Sequence, residues 1–422
     1  MRFFLYIDPG TGSMLFTILI GVLGTGLYFF RNALVKLRFL AGGGVREKDK
    51  QQDRVPFAIF TDSKRYWNLF EPICDEFERR GETLVYMTAS PDDPALEKHY
   101  EHVTAKFIGE GNRAFAKLNF IKADVLLSST PGVDVYQWKR SKDVRWYVHV
   151  LHAANDPVIY RMFGLDGYDA VMVSGEYQRR QLRELEKLGC GRKKELPMIG
   201  LPHMDALLSR LEAAPPLEDH VRTILLAPSW GESAIFARYG GEILKALLET
   251  GYHIIVRPHP QSFASEKEML EELMRAYPDS EQLEWNRDRD NFEVLRRSDL
   301  LISDFSGVIF DYSLVFCRPV IYADTTFDTS PYDAWWLKKE KLWTFETLPK
   351  IGKQLTPENF GELKTMIDDV LGDPRYRQAI EQARRETWAC MGQSVPLLAD
   401  YMIEKRRELL SGQEKPGTEK TA

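Results

Sequence analysis

Two short stretches of the chain carry side chains suited to holding phosphate. Residues 254–260 read IIVRPHP and residues 301–312 read LISDFSGVIFDY. In each, an apolar run stops abruptly at small polar or basic residues. A run of that kind reads as a buried parallel strand. In an open α/β sheet, ligands bind beyond the carboxyl ends of such strands. The pattern therefore predicts that Arg257, His259, Ser303, Asp304 and Ser306 lie on loops facing one crevice. A guanidinium fork, an imidazole, two hydroxyls and a helix N-terminus converging there describe a phosphate-handling site. Gly307 and the serines leave room for backbone N–H groups to approach an anion.

Each of these residues also has a purely structural reading. Pro258 and Pro260 fix the backbone on either side of His259, which would equally suit a rigid turn. Ser303 or Asp304 could serve only as a helix cap. Asp311, five residues after Ser306, is expected to brace the structure rather than touch substrate. His152 follows the apolar run 146–151 and precedes the small Ala153 and Ala154. Its ordinary pKa near 6.5 suits general-base work, or it is simply a core or surface histidine, the reading that fits the mid-strand His149 better. Ser229 and Trp230, in the run APSWG at residues 227–231, end another strand. Ser229 is a candidate phosphate ligand, and Trp230 either stacks on a base or covers the core. Residues 128–132, SSTPG, form a weaker strand-end loop of the same kind.

The elements that must position these residues alternate. Strand-like runs at 55–60, 84–87, 125–128, 146–151 and 170–174 are separated by helical stretches such as 66–80 and 178–188. A second series follows at 223–227, 254–256, 283–285, 300–303 and 320–322. Alternating β and α elements predict parallel sheets with right-handed crossovers. Two such series predict two Rossmann-like domains, 54–214 and 220–350, facing a cleft. From residue 357 the pattern is helical, with amphipathic stretches at 359–371 and 373–404. Residues 355–408 are expected to pack across both lobes, and 409–422 to form a polar, disordered tail.

The N-terminus differs. Residues 13–30, SMLFTILIGVLGTGLYFF, are free of charge over a length just sufficient for a membrane span. Arg31, Lys36, Arg38, Arg46, Lys48 and Lys50 follow, which by the positive-inside rule keeps the remainder in the cytoplasm. Residues 1–42 are thus expected to be a single-pass anchor in the cell membrane, and 43–53 a charged linker. The whole chain has 422 residues, is 44% hydrophobic and carries a formal charge of -6. That balance argues against a nucleic-acid binder. The four cysteines show no metal or redox spacing. No GxGxxG follows the first strand, and there is no Walker A loop, HExxH or CxxC. Asp288, Arg289 and Asp290 read as a solvated charge run rather than a metal-holding pair. No cofactor and no metal site are expected.

The succession of the His152 loop, APSW, RPHP, and SDFSGVIFDYSLV followed by Arg318, Pro319 and Val320 resembles the CDP-glycerol:poly(glycerophosphate) glycerophosphotransferase family, which includes teichoic acid primases and polymerases. The resemblance runs over roughly residues 140–400 and is most specific in the last two motifs. It implies a GT-B-like fold with an N-terminal acceptor lobe and a C-terminal CDP-donor lobe. It also implies transfer of glycerol phosphate, or a related polyol phosphate, from a CDP-alcohol to a membrane-held lipid or glycan acceptor. His152 and His259 match the family's two histidines, and Ser303, Asp304 and Ser306 its phosphate loop. The family histidine is usually followed by glycine and threonine; here Ala153 and Ala154 follow. Two other expectations stand beside this one. One is a GT-B nucleotide-sugar glycosyltransferase or epimerase-like enzyme. The other is a non-catalytic binding module in envelope assembly.

Overall fold

The computed structural model describes residues 54–411, apart from 137, 218–219, 289, 305 and 325–326. The expected anchor and linker (1–53) and most of the expected tail lie outside the described residues. Among the described residues, no helix is long and apolar enough to cross a membrane.

The described chain holds two six-stranded sheets, each parallel throughout. The first contains β1 (Val55–Thr61), β2 (Leu84–Thr88), β3 (Val103–Phe107), β4 (Ala123–Ser128), β5 (Val144–Val150) and β6 (Ala170–Met172), in the order β3-β2-β1-β4-β5-β6. The second contains β7 (Thr223–Leu226), β8 (His253–Val256), β9 (Leu283–Trp285), β10 (Leu300–Ser303), β11 (Val320–Ala323) and β12 (Gly352–Leu355), in the order β12-β11-β10-β7-β8-β9. Read from its own first strand, each sheet follows the doubly wound Rossmann order 3-2-1-4-5-6. The central strands are buried on both faces, so continuous apolar runs such as Phe57, Ala58, Ile59 and Phe60 mark them. In a sheet of this order the direction of winding reverses between the first and fourth strands, and that point opens the ligand crevice. The reversals fall between β1 and β4 and between β7 and β10.

A serine ends the fourth strand at each reversal. Ser128 Oγ donates to the Phe60 carbonyl at 2.8 Å, and Ser303 Oγ donates to the Ala227 carbonyl at 2.5 Å. Both serines are wholly buried. The same hydroxyl-to-carbonyl bond at matching places of two sheets identifies a device that ties the parting strands.

The helices that shape the cleft are α1 (Trp67–Arg79), α2 (Glu176–Leu188), α3 (Pro202–Ala213), α4 (Trp343–Ile351), α5 (Pro374–Thr387) and α6 (Ser394–Ser411). The expected helix over 373–404 is broken at residues 388–393. Helix α5 contributes Ile380 and Ala383 to a core cluster shared with the second sheet. Helix α6 returns to the first sheet, where Leu398, Ala399, Met402 and Ile403 pack with Phe57, Val125 and Val148. Asp205 on α3 holds the break. Its carboxylate accepts from Trp388 Nε1 at 2.8 Å, Gly392 N at 2.8 Å and Ser394 N at 2.9 Å. Gly200 adopts φ +96° there, and a Cβ would stand 2.3 Å from the Ala389 carbonyl oxygen. Only glycine allows that left-handed turn and that approach of the returning chain.

The lobes also meet directly. Tyr177 of α2 stacks on Trp343 of α4 at 4.9 Å. Buried Asp156 accepts from the N–H groups of Trp343 and Thr344 at 2.8 and 2.9 Å, satisfying donors at the start of α4.

Candidate active site

Between the lobes lies a cleft of about 640 Å³. The first lobe lines it with Arg65, Tyr66 and His152, and α3 adds His203. The second lobe contributes Arg257, His259, Ser306 and Asp311. His152, which follows β5, and His259, which follows β8, therefore open on one space from opposite sheets. Ser306 sits at the β7/β10 reversal, just before the helical turn Val308–Phe310, which runs directly into a wider turn over Asp311–Val315. Gly307 adjoins the first lobe: a Cβ there would lie 3.4 Å from the Ala153 Cβ.

His259 is half-buried. Its Nδ1 accepts from the Gln261 N–H at 3.1 Å, so the neutral ring carries its proton on Nε2. Burial, then the positive charge of Arg65, holds it below the ordinary histidine range. Trp230, about half exposed, lies beside it with ring centroids 6.4 Å apart.

His152 packs edge-on against Tyr66, with centroids 5.1 Å apart. Its Nδ1 lies 3.3 Å from the Tyr160 hydroxyl, which is also 3.3 Å from Nε2 of the wholly buried His149. Burial foremost, with His203 and Arg65, lowers His152 to about 4, while Asp311 opposes the shift. Burial lowers His149 to about 3. Both rings are thus neutral near pH 7. In the unfolded chain each takes up a proton near pH 6.5, which the fold refuses until far lower pH. Stability should therefore fall as pH drops from about 7 toward 4, by on the order of a few kcal/mol from His149 alone. Thermal unfolding across that range checks this, and His149→Gln should flatten the slope.

Three of the residues expected to bind phosphate are committed elsewhere. Ser303 points into the sheet, as described above. Asp304 is buried. Its carboxylate accepts from Ser229 N at 3.1 and 2.9 Å and from Ile235 N at 3.2 Å. A carboxylate facing N–H groups of its own lobe shapes the loop after β7 rather than meeting an anion. Arg257 does line the cleft, but its NH1 donates to Asn286 Oδ1 and its NH2 to the Asp288 carbonyl at 2.8 Å. Part of the fork intended for phosphate is spent on the end of β9. Ser229 is buried and outside the cleft lining, whereas Trp230 projects between two pinned points, Ser229 N on Asp304 and Gly231 N on Glu266 at 2.7 Å. Asp304→Ala should leave those buried N–H groups unpaired and cost about 2–4 kcal/mol. A fall in melting temperature without a matching change in Ser303→Ala would separate the loop anchor from the strand tie.

The sequence reading missed His203. Its Nε2 lies 2.8 Å from Asp311 Oδ1, joining α3 to the turn of the second lobe. Separated by 108 positions, the pair has no local signature. Asp311 does brace, as expected, but it does so across the cleft. Among the described residues, no group of histidine, cysteine and acidic side chains could hold a metal ion.

Two doubly wound lobes thus face one cleft, lined by polar side chains from the ends of their strands. Residues 164–340 match the sequence profile of the CDP-Glycerol:Poly(glycerophosphate) glycerophosphotransferase family. Over that stretch the chain is similar to CDP-glycerol glycerophosphotransferases. The matched stretch contains Ser229, Trp230, Arg257, His259 and the 303–307 loop, and excludes His152. No curated protein matches the sequence. Among solved structures, the chain is similar to the wall teichoic acid polymerase TagF, at 15% identity and a TM-score of 0.57 over 91% of this chain and 99% of that one. The UDP-GlcNAc 2-epimerase of Methanocaldococcus jannaschii is similar at 15% identity and a TM-score of 0.52, over 83% and 100%. S. aureus MnaA, solved with UDP, aligns at 12% identity and a TM-score of 0.53, over 87% and 100%. At these identities the likeness is one of fold, and the fold is of GT-B type.

Proposed function

We propose that the enzyme moves glycerol phosphate, or a related polyol phosphate, from a CDP-alcohol to an acceptor held at the membrane, in teichoic-acid-type envelope polymer synthesis. The observation that carries this reading is the convergence of His259, Ser306 and His152 on one cleft, the first two inside the matched stretch. The acceptor hydroxyl attacks the phosphorus bearing the polyol. A new phosphorus–oxygen bond forms, the bond to CMP breaks, and CMP leaves with the electron pair. Such transfers depend on positioning and charge stabilisation more than on covalent catalysis.

His259 Nε2–H and the Ser306 hydroxyl donate to the diphosphate oxygens. The first N–H groups of the turn after Ser306 lack intrahelical partners and add to them. Trp230 offers a face to the cytosine. His152 receives the acceptor's proton on Nε2. That role needs its own proton on Nδ1, donated to Tyr160, whose hydroxyl then donates to His149. A base held near pH 4 stays neutral and competent through the physiological range. Membrane attachment through residues 1–42, with the catalytic lobes on the cytoplasmic side, belongs to the same proposal and fits an acceptor that does not leave the membrane.

Full-length enzyme in membranes, given CDP-glycerol and a lipid-linked acceptor, should release CMP and lengthen the acceptor. Turnover of UDP-sugars in place of CDP-alcohols would reassign the cleft to sugar chemistry. Tight CDP-alcohol binding without turnover under any acceptor would make the chain a binding module.

A further inference from the structure

We propose that Arg65 is a substrate-binding residue that clamps the phosphoryl group in transfer, reaching it from the lobe opposite His259 and Ser306. The inference rests on the reading of the cleft as a CDP-alcohol site, and it supplies a cation which that reading lacks. Arg257, the arginine expected to face the diphosphate, has donors bound to Asn286 and to the Asp288 carbonyl. Ser303 and Asp304 face the interior of their own lobe.

Arg65 stands where a replacement would be needed. It lies on the short turn Lys64–Tyr66 that follows β1, at the β1/β4 reversal. That is the crevice of the first lobe, just as Ser306 marks the crevice of the second. Both residues line the same cleft. The guanidinium rests against the Tyr66 ring at 4.8 Å, and that ring meets His152 edge-on at 5.1 Å. Arg65 is thereby held beside the acceptor-side histidine while its side chain is exposed to the cleft. Its charge also reaches His259 on the facing lobe.

The neighbouring Lys64 is paired with Asp92, whereas among the described residues no carboxylate lies within ion-pairing distance of the Arg65 guanidinium. The carboxylates that line the cleft are engaged by other groups: Glu71 by Lys98, Asp75 by the Tyr100 hydroxyl and Asp311 by His203. A phosphoryl group in transit carries its charge on nonbridging oxygens, which a planar fork can meet in pairs. Because the fork comes from the other lobe, it engages fully only when donor and acceptor sides are together. Its contribution is therefore larger in turnover than in donor binding.

The test uses the full-length enzyme and two measurements: CMP release from CDP-glycerol at saturating donor, and calorimetric titration with inorganic pyrophosphate. Arg65→Ala should lower kcat at least about 100-fold and weaken pyrophosphate about tenfold, with an unchanged melting temperature. Added guanidinium at sub-denaturing concentration should restore part of the lost rate. Arg65→Lys should fall between, since a point charge replaces the fork. Wild type that is idle with every CDP-alcohol would overturn the function proposed above, and the pyrophosphate titration would still decide the role of Arg65. Arg65→Ala within threefold of wild type in pyrophosphate affinity, and in turnover where there is turnover, overturns the assignment of Arg65.

Discussion

Ser306→Asp is expected to weaken CDP-alcohol binding at least about a hundredfold, a loss of about 3 kcal/mol or more. Ser306 lines the cleft at the winding reversal of the second sheet and precedes the turn that begins at Val308. A carboxylate there would occupy the place of a phosphoryl oxygen and accept the N–H groups meant for it. It would also repel the remaining negative charge in a partly desolvated space. Ser306 is half-buried and lies outside the apolar core, so the melting temperature should move little. Calorimetry on the intact chain separates the two effects. Undiminished affinity in the variant, with wild type binding, would place the diphosphate elsewhere.

The second large effect belongs to His152. His152→Ala should lower kcat by about 10²–10⁴-fold while changing donor affinity less than about threefold. The reason is location. His152 belongs to the first lobe, while the proposed diphosphate ligands His259 and Ser306 belong to the second. A base that acts on the acceptor is felt in the transition state and hardly in donor binding. Its depressed pKa adds a signature: kcat/KM should stay level from about pH 8 to 5 and fall only near pH 4. If donor affinity collapsed instead, His152 would be a donor ligand, and proton removal would fall to another group in the cleft.

The strand ends were legible because physics writes them plainly. A strand buried on both faces must be apolar, and it must stop where the chain reaches the ligand edge, so IIV before Arg257 and LLI before Ser303 mark the cleft. Two of the four edge strands were not legible for the same reason. β3 (VTAKF) and β12 (GKQL) have a neighbour on one side only and keep polar residues, so no apolar run announced them. Nor does residue type reveal which way a strand-end side chain turns. Ser303 and Asp304 have the chemistry of phosphate ligands, yet one ties two strands and the other holds a loop.

A signal for the Ser303 role was present in the sequence. SST at the end of β4 and SDFS at the end of β10 occupy equivalent places in two repeats, and a serine repeated where only one lobe binds the donor points to architecture. The break in the C-terminal helix depended on Asp205, which lies 183 residues before Trp388. His203 and Asp311 likewise meet only once both lobes have formed. Contacts of that range leave no periodicity to read.

The most direct test of the account is a structure of the full chain bound to CDP-glycerol. The diphosphate should lie between the lobes, with oxygens in hydrogen-bonding reach of His259 Nε2 and Ser306, the cytosine near Trp230, and the polyol phosphorus facing His152 and Arg65. A donor seated away from the β7/β10 reversal, with His259 and Ser306 untouched, would contradict it.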